Sequence, residues 1–445
     1  MIIEKELEVE VESTNRLSLK HQKQRDSMTL RCAIFAWSAI VWPVEFVRLM
    51  YGLATGSEVL AKIKERFGYA TQTPTKGIIW IHAASVGETM VAITLIDRLS
   101  EKMPSKKFLL TTCTKSALNV IKNNRPDIIH SFLPIDNYFV MQRFLGLWEP
   151  AIYIGIEQEL WPSLIYTTSL KCPLVLVNAR MSECTYGKWR HCSFILRTML
   201  TRFTNIITQS KEDQLKYFAI SPSNTKYIGN LKYVAPQVNL SQSKVQQLSA
   251  AFEGRKVILA ASTHPGDETG ILKAFARLRK IAPEALLIIA PRHTERALHI
   301  ARSMDALGLR YVMRTEFRED RLDAGVNVYV ANTMGEMPLF YSVSAITVVC
   351  GSFVNKGHNI IEPARYNSMV VFGPDMRNFV QIANEFLNAQ AAVQVQDFEQ
   401  IYPTLLDLLN NDAKRQMIIQ NAARVVQGKE AIAQQYCQLI QDLVA

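Results

Sequence analysis

The sequence predicts an α/β protein with two doubly wound halves, each built on a parallel sheet. From Ile78 onward, short apolar runs alternate with amphipathic segments, as in a parallel sheet with crossover helices. This alternation weakens across the polar stretch 230–255 and restarts at Lys256. Polar residues gather directly after the predicted strands, where open α/β sheets bind ligands. We therefore expect two Rossmann-like domains with a ligand cleft between them.

The composition is that of a globular protein with a basic balance. The chain has 445 residues, of which 48% are hydrophobic, and a formal net charge of +10. This length exceeds one ordinary core, which also favours two domains. The positive charge suits an anionic membrane surface, a nucleotide or a nucleic acid. A nucleic-acid partner is not expected, because the basic residues form no single stripe with interleaved aromatics.

The cysteines indicate a reducing compartment. There are seven, an odd number, and they are scattered without a C-x-x-C pair. This pattern is typical of core thiols and not of a disulfide framework or a zinc site.

The amino-terminal region is expected to contact a membrane. Residues 1–30 divide into an acidic and a basic piece with little to bury, which predicts a mobile tail. Residues 31–53 are the expected membrane-associated segment, within which Cys32–Val44 is nearly continuously apolar, broken by Pro43 and closed by Glu45. Its 13 residues fall short of the about 20 that a bilayer span needs, and its basic flanks are typical of an interfacial segment. A buried helix of the first domain, or a tilted span that includes Phe46–Leu53, are the alternatives.

Residues 54–235 are expected to form the first Rossmann-like domain. Its strands are predicted as short apolar runs, each followed by a polar turn. They are Gly77–Ile81, Lys107–Thr112, Ile129–Leu133, Ala151–Ile156, Pro173–Val177 and Asn205–Thr208.

Residues 236–255 are expected to be a linker, and residues 256–445 the second domain with closing C-terminal helices. The strands predicted for this domain are Lys256–Ala261, Ala285–Ala290, Val326–Val330, Ala345–Cys350 and Met369–Phe372.

The stretch Trp80–Glu88 places a carboxylate at the end of the first predicted strand. Helical spacing of apolar residues follows it, so Ser85 and Gly87 lie in a strand-to-helix loop with backbone N–H groups open to a ligand. Glu88 is then a candidate catalytic group. The alternative is structural: Ser85 caps the helix and Glu88 complements the positive end of its dipole.

Further polar residues follow the next strands of the first domain. Glu157 and Glu159 come directly after one strand, and Arg180 follows its neighbour. They are candidates for binding a ligand or for supporting the residues that do. Alternatively, the two carboxylates and the arginine brace each other as ion pairs.

The second domain collects groups that suit a nucleotide. Arginine and backbone N–H groups bind phosphate, and a carboxylate accepts hydrogen bonds from ribose hydroxyls. We assign the phosphate to Arg292 and the ribose to Glu362, which lies one helical turn after Asn359. The candidate nucleotide-binding residues are Ser262, Thr263, Arg292, His293, Gly335, Glu336, Gly357, His358, Asn359 and Glu362.

Several classes of site are disfavoured. The Gly351–Pro363 loop is neither G-x-G-x-x-G nor a Walker A loop, which argues against a dehydrogenase or an NTPase. No His, Cys or Asp grouping has metal-ligand spacing, so we expect no metal and no cofactor. His358 alone would be a structural turn histidine, but its polar neighbours favour a role in the site.

An ordered series of motifs covers roughly residues 30–430. It comprises Ala84-Ser-Val-Gly-Glu88, Glu157-x-Glu-x-Trp-Pro162, Asn178-Ala-Arg180, Gly229-Asn-Leu-Lys232, Ala261-Ser-Thr-His264, Pro291-Arg-His293, Met334-Gly-Glu336 and Gly357-His-Asn-x-x-Glu-Pro363. The series resembles one enzyme family, the 3-deoxy-D-manno-octulosonic acid (Kdo) transferases of bacterial lipid A and lipopolysaccharide biosynthesis.

The resemblance implies a GT-B glycosyltransferase with CMP-Kdo as donor and a lipid A precursor, lipid IVA, as acceptor. It implies that Glu88 is the catalytic base of an inverting transfer, and that Arg292, Glu336, Asn359 and Glu362 surround CMP. It also implies attachment to the cytoplasmic face of the cell inner membrane, either peripherally or through one N-terminal anchor. The alternatives are a GT-B transferase with another sugar nucleotide, and a non-catalytic lipid-binding scaffold on the same fold.

Three positions depart from the family pattern. Lys356-Gly357 stands where two glycines are common, Asn332 stands where an aspartate is usual, and Cys350 replaces a glycine.

Overall fold

The computed structural model describes residues 28–54, 62–181, 185–187, 193–234, 240–317 and 321–444. The chain forms two compact units, Met1–Ala235 with Ala431–Ala445, and Pro236–Glu430. The predicted tail, apart from its last three residues, lies outside the described residues, as do Cys184 and Cys192. The other five cysteines are free thiols.

Within its described residues, the first unit is built on a parallel sheet of seven strands in the order β3-β2-β1-β4-β5-β6-β7. The strands are β1 (Ile79–Ala83), β2 (Phe108–Thr112), β3 (Ile129–Phe132), β4 (Ile152–Ile156), β5 (Leu174–Ala179), β6 (Asn205–Thr208) and β7 (Thr225–Tyr227).

Helices cover both faces of this sheet and bury a separate apolar cluster on each. The helices that precede the second unit are α1 (Met28–Ala54), α2 (Ile63–Arg66), α3 (Val86–Lys102), α4 (Lys115–Asn124), α5 (Tyr138–Trp148), α6 (Pro162–Ser169), α7 (Ser193–Leu200) and α8 (Lys211–Phe218).

The second unit has the same plan, with seven parallel strands in the order β10-β11-β9-β8-β12-β13-β14. They are β8 (Lys256–Thr263), β9 (Ala285–Pro291), β10 (Tyr311–Met313), β11 (Val328–Val330), β12 (Ile346–Val349), β13 (Met369–Phe372) and β14 (Val393–Gln394).

The remaining helices follow or connect these strands. They are α9 (Gln242–Ala251), α10 (Asp267–Leu278), α11 (Ala297–Ala306), α12 (Met337–Val343), α13 (Ile361–Arg365), α14 (Val380–Asn388), α15 (Ile401–Asn410), α16 (Asp412–Val426) and α17 (Glu430–Val444).

The predicted fold class is confirmed, and each predicted strand is present with its ends shifted by no more than two residues. The structure adds β7, β10 and β14, which the sequence analysis missed. All three are at sheet edges, and at two or three residues each they are too short to give a strand signal in the sequence.

The predicted division of the chain differs from the structure in two places. The expected linker contains α9, whose Leu248 and Ala251 are buried in the core of the second unit. The last helix, α17, belongs to the first unit and not to the second. Its Tyr436 is fully buried and donates a hydrogen bond of 2.9 Å to the carbonyl oxygen of Gly229, so apolar and polar contacts both hold the helix there.

Helix α1 is longer than the predicted apolar segment. It runs through Pro43 without interruption for 27 residues, so the break expected at this proline is wrong. Its stretch Arg31–Gly52 is long and apolar enough to cross a membrane, judged by length and composition. Only 17% of the most apolar part is buried, which does not fit the alternative of a buried core helix.

Candidate active site

The strand orders place the predicted site residues at two topological switch points. In the first sheet β1 lies between β2 and β4, and in the second β8 lies between β9 and β12. Loops at the carboxyl ends of such strands form the ligand crevice of open α/β sheets. Glu88, Glu157 and Glu159 follow β1 and β4 in the first unit. In the second, Thr263 is the last residue of β8, and His358 lies in the loop after β12.

Glu88 lies in the first turn of α3 and is held by two hydrogen bonds. Its Oε2 accepts from the backbone N–H of Ala84 at 2.7 Å, and its Oε1 accepts from Ser85 Oγ at 2.9 Å. Ser85 is also the N-cap of α3, since its Oγ accepts from the Glu88 N–H at 3.3 Å. The helix cap that the structural interpretation of Ser85 predicts is therefore present.

The electrostatic surroundings of Glu88 differ from those of a simple helix-start carboxylate. Burial, together with the carboxylates of Glu159 and Glu157, raises the pKa of Glu88 to about 7. A group that only complemented a helix dipole would be stabilised as an anion, and its pKa would fall. A carboxyl group with a pKa near neutrality is suited to general-base chemistry.

Glu159 is paired with a histidine that the sequence analysis missed. His82 is fully buried in β1, and its Nε2 lies 2.9 Å from Glu159 Oε2. Trp161 Nε1 donates to the same oxygen. Burial lowers the pKa of His82, but Glu159 and Cys113 outweigh it and leave that pKa well above its ordinary value. In the sequence His82 was one polar residue in an apolar strand, and its position beside the E-x-E motif became visible only through the pairing of β1 with β4.

Glu157 has a different partner. Its Oε1 lies 2.6 Å from Lys232 Nζ, so the two carboxylates do not share one cation. Glu157 adopts a left-handed backbone conformation with φ +63°, which is uncommon for a residue other than glycine and is frequent at functional sites. Arg180 follows β5, is half-buried, and accepts a hydrogen bond from Tyr217 at its carbonyl oxygen. Glu157 is thus paired with Lys232 and Glu159 with His82, where the sequence analysis offered Arg180 as the partner of both.

In the second unit two histidines form a hydrogen-bonded pair. His264 Nε2 and His358 Nε2 are 2.8 Å apart, so one ring donates and the other accepts. Burial, with His264 and Arg292 nearby, lowers the pKa of His358 to about 4, so the ring is neutral at pH 7. Gly351 makes room for the pair, because a Cβ atom at this residue would lie 2.7 Å from His358 Cδ2.

A buried aspartate fixes the loops around this pair. Asp267 Oδ2 accepts hydrogen bonds from the backbone N–H groups of Gly351 at 2.8 Å and His264 at 3.0 Å. Burial raises its pKa. The sequence analysis missed Asp267, because its second partner, Gly351, is 84 residues away in the chain.

The predicted phosphate residue, Arg292, lies close to the histidine pair and also to the predicted ribose residue, Glu362. Among the described residues the exposed side chain of Arg292 makes no hydrogen bond or ion pair, and its charge contributes to lowering the pKa of His358. Glu362 is also exposed and accepts from Asn359 Nδ2 at 3.2 Å. Asn359 lies two residues before α13, and its Oδ1 accepts from the N–H of Ile361 at 3.0 Å. His293 follows β9 directly and is 61% exposed.

Other predicted residues have structural partners. Glu336 forms a two-pronged ion pair with Arg314, with contacts of 3.1 and 2.9 Å, and this interaction lowers its pKa. Thr263 Oγ1 lies 3.5 Å from Glu268 Oε1.

Three backbone positions complete the predicted set. Ser262 and the glycines Gly335 and Gly357 have φ values of +57°, +81° and +73°. At Gly357 a Cβ atom would lie 2.5 Å from Met376 Sδ. Within the described parts of the chain no group of three or more His, Cys, Asp and Glu side chains is arranged to hold a metal ion.

A family model for 3-deoxy-D-manno-octulosonic-acid transferases matches residues 61–235. This range contains β1 to β7. It also contains Glu88, Glu157, Glu159 and His82, which we call the Glu88 cluster.

Full-length relatives extend the match over both units. A 3-deoxy-D-manno-octulosonic acid transferase from Rickettsia bellii is 35% identical over 407 residues, which cover 91% of this chain and 97% of the relative. The corresponding protein of Haemophilus influenzae is 30% identical over 370 residues and covers 81% and 86% of the two chains.

Solved structures support the fold. A glycosyltransferase from Rickettsia africae aligns with a TM-score of 0.57 at 12% identity and covers 83% of this chain and 99% of its own. A UDP-GlcNAc 2-epimerase from Neisseria meningitidis aligns with a TM-score of 0.57 at 14% identity and covers 81% and 99%. At these identities the similarity concerns the GT-B fold alone, whereas the match to the full-length relatives shows that this chain, a glycosyltransferase, belongs to the 3-deoxy-D-manno-octulosonic acid (Kdo) transferase family.

Proposed function

We propose that this protein transfers Kdo from CMP-Kdo to a lipid A precursor, lipid IVA, with Glu88 as the general base. The observation that best supports this proposal is the Glu88 cluster. In it the carboxyl group of Glu88, with a pKa of about 7, is held by hydrogen bonds from Ala84 and Ser85 after the end of β1. Such a group is ionised often enough at neutral pH to accept a proton, and basic enough to do so effectively.

In the proposed reaction, Glu88 takes the proton of an acceptor hydroxyl as the hydroxyl oxygen bonds to the anomeric carbon of Kdo. The bond from that carbon to the phosphate oxygen breaks at the same time, and CMP leaves with the electron pair. A single displacement of this kind inverts the configuration at the anomeric carbon. The proposal includes no metal ion, and the positive charge opposite the phosphate comes from Arg292.

The second unit is the proposed donor site. Arg292 is exposed and lies near neutral imidazoles and the carboxyl group of Glu362. A guanidinium can form two hydrogen bonds with a phosphate, and a carboxylate can accept from ribose hydroxyls. The relatives named 3-deoxy-D-manno-octulosonic acid transferases support Kdo as the sugar that is moved.

We place the enzyme at the cytoplasmic face of the inner membrane. Helix α1 exposes large apolar side chains, among them Val47 at 66% and Tyr51 at 71%. The formal net charge of +10 favours an anionic surface and a phosphorylated acceptor.

The deciding experiment is mass spectrometry of the products that the purified chain forms from CMP-Kdo and a tetra-acylated lipid A precursor. The expected product is the precursor with added Kdo, accompanied by CMP. Reactions with UDP-sugars as donors are the comparison, and transfer from one of them but not from CMP-Kdo would favour a different GT-B transferase. If no donor gives a product while lipid still binds, the non-catalytic scaffold would be the better description.

A further inference from the structure

A groove lies between α1 and the body of the first unit. It encloses about 320 Å³. Apolar residues of α1 form one wall, and the loop after β3 forms the other. We call it the α1 groove, and its main lining residues are Ile40, Val41, Val44, Leu133, Pro134 and Ile135.

Polar contacts fix α1 beside the groove. Trp37 Nε1 donates to Asp136 Oδ2 at 2.7 Å, and Ser38 Oγ accepts from the backbone N–H of Tyr138 at 3.0 Å. These bonds hold the first half of α1 against the body of the unit, whereas Ile40 and Val44 remain 63% and 61% exposed. The helix is therefore anchored next to a gap that its own side chains do not fill.

The opposite wall is held equally firmly. Arg66 is buried, and its guanidinium donates to the carbonyl oxygens of Leu133 at 3.1 Å and Cys113 at 2.6 Å. Two fixed walls make the α1 groove a stable feature of the unit and not a transient space between mobile side chains.

The α1 groove reaches the Glu88 cluster. Trp161 and Cys113 also line it. Trp161 Nε1 bonds to Glu159, and Cys113 Sγ lies 4.0 Å from His82 Nε2. Glu159 is one of the carboxylates that raise the pKa of Glu88. A molecule that reacts at Glu88 could therefore extend into the groove.

The chemistry of the walls indicates the occupant. The wall residues are mostly aliphatic or aromatic, with the Glu45–Arg48 ion pair of 3.1 Å as a polar element on α1. A cavity of this size suits a small apolar ligand or part of one, and not a protein helix. One wall is the helix that is apolar enough to cross a membrane, so a lipid has direct access.

We propose that the α1 groove binds an acyl chain of the lipid acceptor while the sugar of the same molecule lies at Glu88. This inference rests on the proposed function, because it assumes a lipid acceptor. It assigns the acyl chain to residues that sequence analysis did not single out, and it gives α1 a role in substrate binding in addition to membrane attachment.

The test fills the groove in the full-length protein. Val44→Trp adds bulk to the α1 groove, and Val47→Trp is the matched control, because Val47 is on the same helix, is 66% exposed and does not line the groove. Kinetics are compared for a tetra-acylated acceptor and for the same disaccharide without acyl chains. We expect Val44→Trp to raise KM for the acylated acceptor about 10-fold or more, since two lost methylene contacts are worth that factor. The deacylated acceptor and the control should show no change. Equal losses with both acceptors, or none with either, would overturn the proposal.

A second measurement covers the case in which the deacylated acceptor is not a substrate. A tetra-acylated acceptor with a photoreactive diazirine in one acyl chain is irradiated on the wild-type protein in vesicles, and labelled peptides are mapped by mass spectrometry. Label at Ile40–Val44 and Leu133–Ile135 is expected. Label restricted to Val47 and Tyr51 would mean that the acyl chain remains in the bilayer. Because labelling needs no turnover, failure of the groove and failure of the proposed transfer give different results.

Discussion

The Nε2 atom of His82 lies 2.9 Å from Glu159 Oε2, and its Nδ1 atom lies 3.0 Å from the carbonyl oxygen of Thr111. Both ring nitrogens thus face acceptors, and a histidine that donates from both is a cation. The buried pair is therefore an imidazolium and a carboxylate. The carboxylate of this pair, Glu159, is one of the charges that raise the pKa of Glu88.

We expect His82→Gln to lower the free energy of unfolding by about 3–5 kcal/mol, because it leaves the Glu159 charge buried without its partner. The double variant with Glu159→Gln should be less destabilised than the sum of the single variants. Additive losses in denaturant titrations would show that the two residues are not coupled.

The same pair predicts a pH dependence of stability. Folding raises the pKa of His82 above its ordinary value of 6.5. Its stabilising contribution is therefore fully present below that pH and is lost as the pH rises through the folded-state pKa. The difference in unfolding free energy between the wild type and His82→Gln should shrink toward alkaline pH, and a difference that grows would contradict a cationic His82.

Glu88→Gln should lower turnover by about 100-fold or more, because it keeps the shape and removes the basicity. CMP affinity should stay unchanged. Because folding raises the pKa of Glu88 from 4.5 to about 7, its contribution to stability is lost as the pH rises between these two values. The variant should therefore be no less stable than the wild type at alkaline pH. Glu101→Gln on the same helix is the control, since Glu101 is 68% exposed.

Single-turnover rates and melting curves separate the two interpretations of Glu88. If it only supports the start of α3, activity is retained and stability falls by roughly 0.3–1 kcal/mol. A Glu88→Gln enzyme with a near wild-type rate would remove this residue from the proposed mechanism.

Arg292→Ala and Glu362→Ala should each weaken CMP binding by about 1.5–3 kcal/mol, the range for hydrogen bonds to charged groups. Isothermal titration calorimetry with CMP measures the effect. Arg302→Ala serves as control, because Arg302 is an exposed arginine on α11, outside the predicted site. Wild-type affinity in a folded Arg292 variant would refute its assignment to the phosphate.

Gly351→Ala should disturb the histidine pair. Gly351 has φ +71°, and a Cβ atom there would lie within 3.3 Å of both His264 and His358. The backbone conformation alone costs about 1–2 kcal/mol for a residue with a Cβ atom. Gly308→Ala is a matched control, since Gly308 has φ +63° and open space around its Cβ position. Both variants should melt at lower temperature, and only Gly351→Ala should lose CMP affinity. Equal CMP binding by the two would indicate that the pair does not contribute to the donor site.

Deletion of residues 1–53 should move much of the protein from the membrane to the soluble fraction, because it removes the exposed apolar face of α1. A milder variant, Val47→Lys with Tyr51→Lys, places charges on that face and should act in the same direction. Unchanged partition of both variants after cell fractionation would exclude α1 as the main attachment.

The strands of the two sheets were predictable because parallel strands are buried on both faces and have continuous apolar sequences. The edge strand Thr225–Tyr227 contains a lysine, and two of its three residues are exposed, so it lacks this signal. The length of helix α1 was underestimated because of its proline. Pro43 suggested a break, although at an exposed position the helix continues through it.

For the site, sequence analysis named Glu88 and Arg292 but not the partners that control the charged groups. The partners of Glu157, Glu159 and Glu336 are Lys232, His82 and Arg314. Each pair joins positions on different strands or loops, and the register of a sheet decides which of them meet. The spacing of residues along the chain does not show which of them are in contact.

The return of α17 to the first unit affects how the protein is made. A ribosome synthesises the first sheet early, yet Tyr436 and Cys437, which belong to one of its two apolar clusters, leave the exit tunnel only after the whole second unit. The second unit, Pro236–Glu430, is one uninterrupted segment and has all its residues before the first unit does. The unit that begins the chain is thus the last to be completed. Until then, the surface that α17 will cover, which includes Gly229, is available to chaperones, and loss of α17 would impair the first unit and not the second.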